Sequence, residues 1–317
     1  MSIHNGEIKV IIGSANPQLG QLICDALNHK PCESEVIQFS EGNTFVRVLE
    51  NVRGRDVYVI QGVSYPVNEN FMELLFWIDA LKLASAAQVT AVIPFFSYAK
   101  GDKKDEPRVS IRSRVCADAL EAAGVDRILT MELHSPQIQG FFKKPVDHMH
   151  PRRLICDYFR SKNLDPLVVA SADVGYGKAA FKYGEVLGVP TVIGNKVRQD
   201  HSENAQVWNV VGDVKNRDVL IVDDMVFTGG SLISMAQAVK ELGARRVFAA
   251  VTHGVLTKGA AAKLDASPIE ELVVTDTVEY RFETPSRKIK VLSVAKLFAE
   301  AILSIHRHES ISRLFPT

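Results

Sequence analysis

The chain has 317 residues, 46% hydrophobic and 23% charged, a globular composition long enough for two domains that each bury a core. Its 37 Lys and Arg balance 37 Asp and Glu, so no global field draws it to nucleic acid or to an anionic membrane. No apolar run can span a bilayer, Met1–Ala15 lacks the regions of a signal peptide, and Cys24, Cys32, Cys116 and Cys156 form no C-x-x-C pair. A reduced, cytoplasmic setting is expected. Short β-branched runs alternate with longer periodic ones, the pattern of α/β units around a largely parallel sheet. In chain order the runs predict a strand at Lys9–Ile12, a helix at Gln18–Leu27, a strand at Asp56–Gln61 and a helix at Asn68–Ala84. That second helix carries Leu74, Leu75, Ile78, Leu81 and Lys82 along one face. Next come strand Val89–Ile93, helix Ile111–Ala123, and strands Arg127–Met131 and Leu167–Ala170. Helix Gly177–Leu187, strands Thr191–Gly194 and Val219–Val222, helix Ser231–Leu242 and strand Val247–Val251 complete the series.

A weak internal repeat organises these elements. Ala123-Gly124-Val125-Asp126-Arg127-Ile128, followed by His134, matches Leu242-Gly243-Ala244-Arg245-Arg246-Val247, followed by His253. In both copies a helix ends at Gly, which tolerates a left-handed cap, and a strand-loop-helix unit precedes it. Two similar α/β domains divided near residue 150 are expected.

In Val219-Leu220-Ile221-Val222-Asp223-Asp224-Met225-Val226-Phe227-Thr228-Gly229-Gly230-Ser231 an apolar strand ends in two carboxylates, and a small-residue turn opens a helix. Gly229 and Gly230 let the backbone curl with its N–H groups inward, while Thr228 and Ser231 add hydroxyl donors. The positive end of the following helix completes a place for a phosphate monoester. Asp223 and Asp224, just beyond it, can accept hydrogen bonds from two ribose hydroxyls. Phosphate at one end and a diol at the other describe ribose 5-phosphate.

This loop resembles that of the phosphoribosyltransferase-fold proteins. The N-terminal half narrows the resemblance. Pro66–Leu75, Asp79–Lys82, Ser97-Tyr98-Ala99 with Asp102-Lys103-Lys104-Asp105, and Leu133-His134 with Gln137–Phe142 are similar to the ribose-phosphate pyrophosphokinases. The similarity runs from Phe39-Ser40-Glu41-Gly42 to Ser310–Phe315. It implies an α/β fold of two similar phosphoribosyltransferase-type domains, each a mostly parallel sheet flanked by helices. The expected limits are 1–148 and 149–300, with 301–317 packing back on the first. It also implies transfer of the diphosphoryl group of Mg-ATP to the anomeric hydroxyl of ribose 5-phosphate, leaving AMP. No G-x-x-x-x-G-K-[ST] is present, so a P-loop mechanism is excluded.

Carried over by resemblance, Lys103, Lys196 and Arg198 are the catalytic cations, and His134 and Asp173 hold Mg²⁺. Phe39, Glu41, Asn43, Lys100, Gly101, Asp102, Lys104, Arg108 and His134 are the ATP contacts. Asp223, Asp224, Thr228, Gly229, Gly230 and Ser231 hold the sugar phosphate. Lys100–Arg108, with four cations and three acids, is the segment expected to close over ATP. A homo-oligomer of dimers joined into hexamers is the expected assembly.

Several positions depart from the family pattern. Lys100-Gly101 replaces Arg-Gln, Glu41-Gly42-Asn43 replaces Asp-Gly-Glu, and Phe227 replaces an acidic or small hydroxylic residue. At the family's regulatory site Ser310, Ser312 and Phe315 fit, whereas Pro136, His148 and His150 replace Ser, Asn and Tyr. ADP is therefore expected to compete with ATP only. Asp147-His148-Met149-His150 lacks further ligands nearby and is not read as a zinc site. Two rival readings stay open on sequence: a non-catalytic paralogue of the same family, and a phosphoribosyltransferase that consumes phosphoribosyl pyrophosphate.

Overall fold

A computed structural model describes residues 6–198, 206–279 and 286–314, and gives the backbone alone for 196–198 and 206–208. The side chains of Lys196 and Arg198, and all of Phe315, lie outside what it describes. The chain begins β1 (Ile8–Ile12), α1 (Pro17–Leu27), β2 (Ser34–Gln38), β3 (Thr44–Val48), β4 (Asp56–Ile60) and α2 (Val67–Leu83). It continues β5 (Gln88–Ile93), α3 (Arg112–Ala122), β6 (Arg127–Met131), β7 (Val146–Met149), α4 (Arg152–Arg160), β8 (Leu167–Ser171) and α5 (Gly177–Leu187). Then come β9 (Thr191–Arg198), β10 (Gln206–Val211), β11 (Asp218–Val226), α6 (Gly230–Glu241) and β12 (Arg246–Gly254). Last are α7 (Ala260–Asp265), β13 (Ile269–Thr275), β14 (Ile289–Leu292) and α8 (Ala295–His306).

Five parallel strands form one sheet in the order β1-β4-β5-β6-β7. The second sheet has the order β10-β9-β8-β11-β12-β13-β14, and only β10 with β9 is antiparallel. Helices cover the sheets, so β4 and β8 are buried at every position, which is why they read as unbroken apolar runs. On α2 the spacing i, i+3, i+4, i+7 puts Leu74, Trp77, Ile78 and Leu81 into the core with no exposure. Lys82 leaves that face and pairs with Asp126 at 2.9 Å.

The internal repeat corresponds to two βαβ units, β5-α3-β6 and β11-α6-β12. Gly124 (φ +103°) and Gly243 (φ +91°) follow the two helices in conformations that a Cβ would strain. The two histidines of the repeat diverge: His134 is exposed beyond β6, and His253 is buried within β12.

The C-terminal helix returns to the first sheet. It begins at Ala295, earlier than the expected 301, and packs on α1 in a cluster containing Phe298, Ala301, Ile302 and Ile305 with Leu19, Ile23 and Val10. At its end His306 Nδ1 meets Asp56 Oδ2 at 2.8 Å, and the Tyr58 hydroxyl donates to the same oxygen at 2.9 Å. Strand β11 also runs further than expected, through Asp223 and Asp224 to Val226. The partner strand β12 stays alongside it, with Asp223 opposite Val251 and Val226 opposite Gly254.

Candidate active site

The carboxyl ends of parallel strands are where α/β sheets leave room for ligands. Here those ends from both sheets meet. A cleft of about 520 Å³ is lined by Lys100, Lys103 and His134 from the first sheet's loops, and by Asp173, Asp223, Asp224 and Thr228–Ser231 from the second.

The loop after β11 has the shape its sequence demands. Gly229, at φ +78°, is the left-handed residue that turns the chain into α6. The N–H of Gly230 approaches Thr228 Oγ1 at 3.4 Å. The first N–H groups of α6 have no intrahelical acceptor, and they open onto the cleft beside the Thr228 and Ser231 hydroxyls.

The two acids diverge in role. Asp224 is buried, and its Oδ2 lies 2.6 Å from Nδ1 of exposed His134, joining the two halves of the molecule. That bond raises the His134 pKa, against the opposing effect of burial. With the proton on Nδ1, Nε2 of the neutral ring is left to accept from the cleft or to ligate a metal, an arrangement typical of metal-bound histidine. Asp223 Oδ1 accepts the N–H of Asp224 at 2.9 Å. Burial pushes the Asp223 carboxyl well up, and the charges of Asp224 and Asp173 push it further. Exposed Asp173 follows β8 and uses Oδ1 to accept the Tyr176 N–H at 2.7 Å.

The His134 segment is braced from behind. Glu132, at φ +42°, is buried and accepts from His150 Nδ1 at 3.0 Å, and its carbonyl lies 3.0 Å from Nε2 of His253 on the second sheet. The Leu133 N–H donates to His148 Nε2 at 2.8 Å. Burial drives the His148 pKa down to about 4, so the ring is neutral and can accept that bond. His148 and His150 thus face inward and hold the segment carrying His134.

Two family profiles match, described as the N-terminal domain of ribose phosphate pyrophosphokinase over residues 8–124 and the phosphoribosyl synthetase-associated domain over residues 189–316. The ribose-phosphate pyrophosphokinase of Caldanaerobacter subterraneus is 45% identical across 99% of this chain and 100% of that protein. The chain belongs to the ribose-phosphate pyrophosphokinase family. A relative of the same name from Ralstonia nicotianae is 44% identical over 97% of this chain and 98% of its own length. The crystal structure of phosphoribosylpyrophosphate synthetase from Mycobacterium smegmatis superposes with a TM-score of 0.90 at 37% identity, over 95% of this chain and 99% of that one.

Of the residues carried over from the family pattern, Lys100, Lys103, His134, Asp173, Asp223, Asp224 and Thr228–Ser231 line the cleft. Asp102, Lys104 and Arg108 lie on the neighbouring segment and do not line it. Phe39, Glu41 and Asn43 sit on the β2–β3 hairpin, whose turn is closed by the Phe39 N–H to Asn43 carbonyl bond at 2.8 Å. That hairpin packs on α2 and contributes nothing to the cleft within one chain. Gly101 is explained by its surroundings: a Cβ there would come within 2.8 Å of the Arg112 Cβ. Its carbonyl accepts the Ser113 hydroxyl at 2.9 Å, which fixes the segment at the start of α3. Sequence reasoning missed Tyr176 and the contact of Lys100 Nζ with the Phe227 ring, 4.1 Å from its centroid. Among the described residues no helix is long and apolar enough to cross a membrane.

Proposed function

We propose that this chain transfers the β,γ-diphosphoryl group of ATP to the anomeric hydroxyl of ribose 5-phosphate, releasing AMP and phosphoribosyl pyrophosphate. The observation that carries the reading is the cleft in which the phosphate-type loop after β11 faces Lys103 and His134 of the other sheet. The N–H groups opening α6, with Thr228 and Ser231, hold the 5-phosphate, and Asp223 accepts from a ribose hydroxyl. ATP lies on the first sheet's side, under Lys100 and Lys103, with Lys104 and Arg108 arriving when the segment closes. The anomeric oxygen attacks the β phosphorus in line, the α,β bridge breaks, and the electron pair leaves on AMP. Lys103, together with Lys196 and Arg198, offsets charge moving onto the bridging and terminal oxygens.

The donor set fits Mg²⁺. Among the described residues no cluster of three or more ligating side chains forms a closed metal cage. Mg²⁺ does not require one, since it binds through one or two carboxylates, waters and phosphate oxygens. Asp173 and His134 border the cleft, and the electrostatic crowding of Asp223, Asp224 and Asp173 is the field a divalent cation relieves. When bound, the ion neutralises part of the triphosphate charge. Exposed Phe39, Phe45 and Leu49 on the β2–β3 hairpin support a homo-oligomer, and four free, buried cysteines agree with a reducing cytoplasm. The domain limits we propose are 1–148 and 149–294, with α8 from Ala295 onward packing back on the first. The test is AMP formation by the pure protein from ribose 5-phosphate and ATP with Mg²⁺, compared with GTP and ADP as donors. Absence of AMP with ATP would overturn the reading.

A further inference from the structure

Two of the positions at which this sequence departs from its family meet in space. Lys100 ends the short turn Ser97–Lys100 on the first sheet's side, and Phe227 lies on the loop after β11 on the other. The ammonium of Lys100 stands 4.1 Å from the ring centroid of Phe227, within the range where an aromatic face attracts a cation.

Both partners are held by their backbones. The Phe227 carbonyl accepts the Thr257 N–H at 2.8 Å and the Thr257 hydroxyl at 3.2 Å, while the next residue in the Lys100 turn, Gly101, is fixed through Ser113. Among the described residues no carboxylate forms an ion pair with Lys100. The ring therefore places the ammonium without neutralising it. It also leaves the three N–H donors of the ammonium for other acceptors, whereas a carboxylate at position 227 would neutralise the cation and put negative charge beside a site meant for phosphates.

We propose that Phe227 is a positioning residue that holds the Lys100 ammonium over the cleft as an unneutralised donor for the nucleotide's phosphates. The pairing links the loop that grips the sugar phosphate to the segment that covers ATP, so the two halves of the site are set against each other before substrate arrives. The inference rests on the proposed function, since it assigns the nucleotide side of that cleft.

A double-mutant cycle on the full-length protein tests it, using Phe227→Leu, Phe227→Tyr, Lys100→Met and Phe227→Leu with Lys100→Met. Phe227→Leu keeps apolar bulk but removes the ring's charge distribution, and is expected to raise the KM for ATP about three- to tenfold. The KM for ribose 5-phosphate at saturating ATP should stay within about twofold, because uniform loss at one ligand's site appears in that ligand's KM. Phe227→Tyr keeps the ring face and should restore ATP binding. In the Lys100→Met background, Phe227→Leu should add nothing further. Additive effects of the two substitutions, or a rise confined to the ribose 5-phosphate KM that Tyr fails to rescue, would assign the ring to shaping the phosphate loop and overturn the pairing. Calorimetric ATP binding to the same four variants and the parent protein gives the cycle without turnover. A parent protein that binds ATP yet forms no AMP would sink the reaction reading alone, and the calorimetric cycle would still decide the pairing.

Discussion

Asp224 shows how one side chain can serve both halves of a site. It is buried on β11 and meets His134, 90 positions away in the chain, at 2.6 Å. Replacing it by Asn keeps the shape but removes the charge that fixes the His134 tautomer. Outer partners of this kind, when removed, typically lower metal affinity or activity by about 10- to 100-fold. Asp224→Asn is therefore expected to lower kcat/KM for AMP formation by about that factor, and an unchanged kcat/KM would show that the bond has no part in turnover. Lys103 makes a different prediction, because its charge matters most as the phosphoryl oxygens gain charge. Lys103→Ala should reduce kcat far more than it raises the KM for either substrate in steady-state assays. The acid pair itself was legible in sequence, since two carboxylates after an apolar strand, followed by Thr-Gly-Gly-Ser, have few other uses. What Asp224 touches was not legible. The bond to His134, like the contact of Lys100 with Phe227, depends on how two separately folded sheets dock, and no local pattern records that. Lys196 and Arg198 remain sequence assignments, as their side chains fall outside the described residues.

At the scale of elements, a segment was readable where its periodicity was strong and its burial two-sided. The strands and helices of both βαβ units fall within a few residues of their expected ends, and Gly124 and Gly243 mark the caps. The β2–β3 hairpin was missed although Val46 and Val48 alternate with exposed Phe45 and Arg47, the pattern of a half-buried strand. The strand is only five residues long, so its alternation was too brief to stand out, although the turn before it, Ser40-Glu41-Gly42-Asn43 with Gly42 at φ +89°, has the residues of a hairpin. β7 has Asp147 and His148 among its four residues. The segment is held by hydrogen bonds, from the Leu133 N–H to His148 and from His150 just past the strand to Glu132, rather than by an apolar run. α8 has a clear helical period, but its destination on α1 is a property of the tertiary fold. Phe298 there has no exposure and packs among Leu19, Ile23 and Val10. Truncation of a core aromatic leaves a cavity as well as losing its transfer energy, so Phe298→Ala should lower unfolding stability by about 3–5 kcal/mol. Urea melts of the two proteins measure it. A loss under about 1 kcal/mol would mean that α8 is dispensable to the first domain's core.

For the whole molecule, acid should act through groups that the docked domains keep from protonating. His148 is buried beside His150 and accepts the Leu133 N–H, and its pKa falls to about 4 against about 6.5 for an unperturbed histidine. The sign follows from linkage. Below about pH 6.5 the unfolded chain takes up a proton that the folded His148 refuses until about pH 4. Its contribution is therefore complete above about pH 6.5 and is lost as pH falls through about 4, at up to about 1.4 kcal/mol per pH unit. Asp218 acts in a lower window. The guanidinium groups of Arg245 and Arg246, at 2.7 and 2.6 Å, overcome its burial and hold its pKa down to about 2, so its contribution persists above about pH 4 and disappears toward 2. His148→Asn separates the two, because an amide oxygen can still accept the Leu133 N–H but does not titrate. Between pH 7 and 5 the variant should lose less unfolding free energy than the parent, while below pH 4 the two curves should run parallel under the control of Asp218. Because His148 braces the segment that carries His134, the same acid step should loosen the cleft before the chain unfolds. Protection of the Leu133 amide from hydrogen exchange should then fall between pH 6.5 and 5 in the parent and stay level in the variant once the intrinsic pH dependence of exchange is divided out. Equal pH dependence of protection in both proteins would leave His148 a packing residue and nothing more.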